Sequence, residues 1–190
     1  MKYSAFIDAE GLNASHLDFL AKAVSDDGTR FFMNDIHVEP SDKGEGLLLG
    51  VATDGRRIHL VDPIPEPITY LGLTPGYWKA FKTSARRVWL ARLDDSVTDG
   101  WNFPNWRKII PTEQAVYETT FEGFALTKNY SNSRQLTQFL RGFPETTVVD
   151  VNFLYQLGTD STWKLEWLGS TKPLKFTAEN RMAVIMPMQP

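Results

Sequence analysis

The chain of 190 residues has no cysteine and only three histidines. Without cysteine there is no disulfide, no thiolate metal site and no thiol nucleophile, a composition that suits a reducing cytoplasm. His16, His37 and His59 are scattered without the spacing of metal ligands, so no metal is expected. No stretch approaches the ~18 apolar residues of a membrane span, and Met1–Leu12 lacks the apolar centre of a secretory signal. The expectation is a soluble, cytoplasmic protein. Nucleophile-elbow and zinc-protease motifs are both absent. Gly44, Gly46 and Gly50 are spaced unlike the dinucleotide fingerprint and lead into a predicted strand, not a helix. Asp26-Asp27 and Asp94-Asp95 sit at element ends and read as caps or turns, and Asn13-Ala14-Ser15 reads as a helix cap. With no catalytic constellation and no cofactor motif, the chain is not expected to be an enzyme.

What is present is an ordinary globular balance. Hydrophobic residues make up 42% and charged residues 23%, enough to fill a core. The net charge of −3 excludes a wholly basic nucleic-acid binder but leaves room for a local basic face. The length suits one large domain or two small ones.

Periodicity predicts an α+β order of elements. Strands are expected at Tyr3–Asp8, Arg30–Val38, Leu47–Ala52, Arg57–Val61, Thr69–Leu73 and Val88–Leu93. Helices are expected from Asn13 or Ser15 to Val24 and from Thr74 to Arg87. Thr53-Asp54-Gly55 predicts a tight hairpin turn. The aromatic, proline-bounded segment Asn102–Pro111 marks a boundary between residues 1–111 and 112–190. The second half repeats the order, with strands at 115–119, 124–126 and 147–151 and helices at 133–141 and 152–157. Further strands are expected at 163–168, 172–177 and 182–188.

The helix expected from Thr74 would gather Lys79, Lys82 and Arg86, with Arg87 beside them, in one sector opposite Trp78, Phe81 and Ala85. Arg134 and Arg141 would share a face on the helix of the second half. Such stripes read either as solvated faces or as phosphate contacts.

Three stretches stand out in order: VATDGRRIHLV (Val51–Val61), NFPNWRKIIP (Asn102–Pro111) and AVIMPM (Ala183–Met188). Together they resemble the bacterial sliding clamp, the β subunit of DNA polymerase III. TRFFMNDIHVE (Thr29–Glu39) and VDVNFLYQL (Val149–Leu157) carry lesser similarities to the same family. The family's chains have three domains and this one matches only the second and third. Its Gly-His-Arg becomes Gly55-Arg56-Arg57, and Gln189 stands where the family ends on a basic residue.

The resemblance implies two DNA-clamp-like domains, each with antiparallel sheets and two helices, and no catalysis. It implies a ring around double-stranded DNA, held without sequence preference through Lys79, Lys82, Arg86, Arg87, Arg134 and Arg141. Two domains per chain would need three chains to make the family's six. It further implies a cleft between the domains that tethers a DNA polymerase or other replication protein by a short peptide carrying Gln, Leu and Phe. By matching position the cleft would use Met33, Thr53, Gly55, Arg56, Arg57, Ile58, Pro104, Lys108 and Ile109. Asn152, Tyr155, Val184, Ile185, Met186, Pro187 and Met188 complete that set. The alternatives are a clamp-derived adaptor that binds peptides without encircling DNA, and an unrelated α+β enzyme.

Overall fold

A computed structural model describes residues 2–84, 86–122, 142, 147–158 and 160–188. They form two compact units, Met1–Asn105 and Trp106–Pro190, and the division falls inside the 102–111 segment. Arg134, Arg141, the 124–126 strand and the 133–141 helix lie outside the described residues.

In unit 1, strand β1 (Tyr3–Glu10) leads into helix α1 (Leu12–Ala21). A 3-10 turn, Phe31–Met33, precedes β2 (Ile36–Pro40), β3 (Leu48–Thr53) and β4 (Arg57–Val61). The short helix α2 (Glu66–Thr69), strands β5 (Gly76–Ser84) and β6 (Arg87–Leu93), and helix α3 (Asp95–Thr98) complete it. Every pairing is antiparallel and the spatial order is β1-β6-β5-β2-β3-β4.

Helix α1 lies across one face of this sheet because alternate residues of the strands and one side of the helix are apolar. Ala14, Leu17 and Leu20 of α1 are buried, as are Ile7, Ala9, Ile36, Val38, Trp78, Val88 and Leu90 of the strands. The approach is close. A Cβ at Gly50 of β3 would stand 2.7 Å from Leu20 Cδ1, so glycine is what lets α1 sit down on the strand.

Unit 2 orders its strands β10-β9-β8-β7, again antiparallel. They are β7 (Tyr117–Glu122), β8 (Thr162–Trp167), β9 (Leu174–Ala178) and β10 (Arg181–Ile185), with helix α4 (Val151–Tyr155) between β7 and β8. Period-two alternation turns Trp163, Leu165, Trp167, Leu174 and Phe176 inward. The opposite face carries a charge ladder, Glu118–Lys164 at 3.0 Å and Lys175–Glu166 at 2.7 Å. The lysine beside it lowers the Glu166 carboxyl.

Several predicted elements are overturned, the second helix first among them. Residues 76–84 form strand β5, not part of a helix over 74–87, and Arg86 lies in the turn to β6. Trp78 and Phe81, expected on one helical face, are buried and 54% exposed respectively, and a β-bulge separates them. β5 pairs as Lys79↔Ala91, Ala80↔Leu90 and Lys82↔Trp89, leaving Phe81 as the extra residue. One inserted residue breaks strict alternation. Aromatic and β-branched content then favours the strand once β2 and β6 supply ladder partners. Of the residues expected to extend at 69–73, Thr69 ends α2 and 70–72 turn, and the first half of the expected 30–38 strand is the 3-10 turn, the strand itself starting at Ile36. The 147–151 segment is not a strand.

Candidate functional site

The β3–β4 hairpin is stapled by its own side chains. Thr53 Oγ1 donates to the Arg57 carbonyl at 2.6 Å and accepts from Gly55 N–H at 3.0 Å. Asp54 Oδ1 accepts from the backbone N–H groups of Arg56 and Arg57, and Gly55 takes a positive φ of 85° that a side chain would strain. Arg57 is buried, pairs with Asp54 at 3.2 Å and donates to the Lys22 carbonyl beyond α1. Thr53, Arg57 and Ile58 therefore hold the hairpin from inside, and Met33 is buried as well. Gly55 and Arg56, at the hairpin tip, are exposed to solvent. Pro104 is half-buried near the end of unit 1.

In unit 2 the matched residues lie on helix α4 and at and beyond the end of β10. Asp150 caps α4 by accepting from Asn152 N–H at 2.9 Å, which leaves Asn152 exposed and Tyr155 half-buried. The segment before it is pinned at two points. Trp167 Nε1 donates to Thr147 Oγ1 at 3.0 Å, and Met188 N–H donates to the Val148 carbonyl at 2.8 Å. Val184 and Ile185 are buried in β10, whereas Met186 and Met188 emerge at 38% and 54% exposure beside Val148 at 43%. Met188 and Val148, both exposed, are thus held side by side two residues ahead of the α4 cap, and exposed thioethers such as Met186 and Met188 can take varied apolar groups. Sequence reasoning missed Val148. Its signal was the apolar run ahead of the α4 cap, which looked like an ordinary strand. Lys108 and Ile109 are exposed at the start of unit 2, in and just after the 3-10 turn Trp106–Lys108.

The basic set is rearranged. Lys79 is half-buried on β5, Arg86 is exposed in the β5–β6 turn, and Arg87 begins β6. Arg87 is engaged by Asp8 at 2.6 Å and Glu10 at 3.4 Å. Helix α1, the long helix of this unit, contains no lysine or arginine between Leu12 and Ala21.

No family model matches the sequence, and no curated protein matches it. Solved structures do. The β sliding clamp of Caulobacter crescentus superposes with a TM-score of 0.59 at 15% identity, over 98% of this chain and 66% of that one. The DNA polymerase III β chain of Streptococcus pneumoniae gives a TM-score of 0.60 at 14% identity, over 100% and 66%. The fold is that of the bacterial sliding clamps. The subunit from Borrelia burgdorferi agrees, with a TM-score of 0.57 at 13% identity over 98% and 65%. This chain therefore spans about two thirds of the length of the clamp chains it matches. Among the described residues no helix is long and apolar enough to cross a membrane, and no group of three or more His, Asp or Glu is placed to hold a metal ion.

Proposed function

We propose that the chain is a non-catalytic, sliding-clamp-like processivity factor. Oligomeric rings of it would encircle duplex DNA and tether a polymerase or another replication protein. The observation that carries this reading is the clamp fold itself, matched along 98–100% of the chain. With two units per chain, a six-unit ring takes three copies. The peptide seat in unit 2 comprises Met186, Met188 and Val148, whose exposed apolar groups suit Leu or Phe anchors, with Asn152 and Tyr155 as its polar members.

Mass in solution tests the ring. Native mass spectrometry or light scattering is expected to find three copies, retained on closed circular duplex and lost from linear duplex. A monomer at every concentration would overturn encirclement. The peptide seat is tested separately with a labelled peptide bearing Gln, Leu and Phe. Met186→Ala is expected to weaken its binding about tenfold, since one buried anchor contributes roughly 1.5–3 kcal/mol. No binding to the wild type would refute the seat without touching the ring.

One observation favours a second reading, an adaptor that binds partner peptides without encircling DNA. Helix α1 offers no cation to a phosphate backbone, and the basic residues expected on a second helix sit on strand β5 and its turn. The monomer outcome combined with peptide binding would select this reading.

A further inference from the structure

The β5–β6 hairpin is electrostatically unlike the rest of the chain. Residues 76–93 hold Lys79, Lys82, Arg86, Arg87 and Arg92 and no acid, within a protein of net charge −3. The same sheet face displays rings. Residues paired across an antiparallel ladder point to one side, which puts Phe6, Ala91 and Lys79 in one row and Asp8 and Trp89 in the next. This side is opposite α1, because the alternating residues Ile7, Ala9, Val88 and Leu90 are the buried ones. Phe6 is 72% exposed, Phe81 54% and Trp89 48%.

Two bulges build the display. The register of β1 shifts between Tyr3 and Ala5, and that of β5 between Ala80 and Lys82. Bulges re-aim side chains. Here they bring Tyr3 and Phe81 together edge-to-face at 5.4 Å, with Tyr3 also 5.9 Å from Phe6. Arg87 lies over the Trp89 ring at 5.4 Å while holding Asp8 and Glu10, the acids that β1 places beside it. The rings are fixed by one another and by an ion pair, not buried in a core.

We propose that this face binds single-stranded nucleic acid, with bases stacking on Phe6, Phe81 and Trp89 and phosphates meeting Lys79, Arg86 and Arg87. Rings on three neighbouring strands beside a basic hairpin form a stacking platform, and stacking needs no particular base. A duplex keeps its base faces occupied and cannot use the rings. This surface is distinct from the peptide seat and does not depend on ring closure.

Fluorescence anisotropy of labelled oligo(dT), with the full chain at low salt, is the test. Wild type is expected to bind oligo(dT) more tightly than a duplex of equal length, with a log–log salt slope of about −2, as three phosphate contacts imply. The triple variant Phe6→Ser, Phe81→Ser, Trp89→Ser is expected to lose at least tenfold in affinity for oligo(dT). Should it not fold, Phe6→Ser alone decides, because that ring is mostly in water; a loss of about tenfold is expected. Absence of oligo(dT) binding would overturn the proposal. Binding indifferent to the ring substitutions would overturn it too, as would capture of anionic phosphatidylserine vesicles in place of DNA. Duplex retention on circles, read in the same preparation, reports on the clamp reading independently.

Discussion

Replacing Asp35 with asparagine is expected to stabilise the chain at pH 7.5 by about 2–3 kcal/mol and to unmask a steep loss of stability in acid. Asp35 is 1% exposed, and its Oδ1 has no hydrogen-bond partner among the described residues. Burial pushes its carboxyl up to about 6, against a weaker pull from Lys79. A carboxyl raised in the folded state contributes stability below its unfolded value, near 3.8, and loses that contribution as pH climbs through about 6.

His59 does the opposite in the same window. It is fully buried, stacked on Phe19 at 4.1 Å, and its Nδ1–H donates to the Phe19 carbonyl at 2.5 Å. Burial, above all, drives its pKa down to about 3. Its contribution is present above 6.5 and fades as pH falls toward 3, a loss of about 3 kcal/mol by pH 4. Asp35 regains about 2 kcal/mol over that range, so the wild type largely conceals the histidine's cost. Urea denaturation followed by circular dichroism at pH 7.5 and 4 separates the two. Parallel profiles for wild type and Asp35→Asn would refute the opposition.

The second large effect is expected at Trp163→Ala, a loss of about 3–5 kcal/mol confined to unit 2. Trp163 is completely buried at the centre of that unit's sheet. Its ring also carries the buried Arg181 guanidinium at 5.4 Å, which is held by Asp160 at 3.0 and 3.1 Å. Truncation leaves a cavity and removes the ring on which a buried cation rests, and a small unit has little core with which to compensate. Hydrogen exchange should show β8–β10 losing protection while β1–β6 keep theirs. A change under 1 kcal/mol, or equal loss in both units, would show that the ring does not anchor unit 2. Because β10 leads into Met186 and Met188, peptide binding is expected to fall with it.

Much of the fold was legible where a single periodicity governs. The strand Arg57–Val61 was read to the residue, and the Asp54-Gly55 turn followed from its chemistry. Helix α1 was legible because Leu17, Leu20 and Ala21 repeat at helical spacing and are buried together. Trp163, Leu165 and Trp167 alternate in sequence and in burial alike. The 76–84 strand was not legible, since its bulge is defined only by the partner strand it faces. At the candidate sites, the exposure of Met186 and Met188 was consistent with their position at the end of a strand. The burial of Met33, Thr53, Arg57 and Ile58 depended on neighbours distant in the chain.

Composition, turn chemistry and the three ordered motifs by themselves determined an antiparallel α+β protein resembling sliding clamps, because those signals act over a few residues. Tertiary structure alone decided which cations share a face, which motif residues are interior, and where aromatic rings meet water. Each of these depends on register between strands far apart in sequence, and one inserted residue reverses which side of the sheet a side chain occupies.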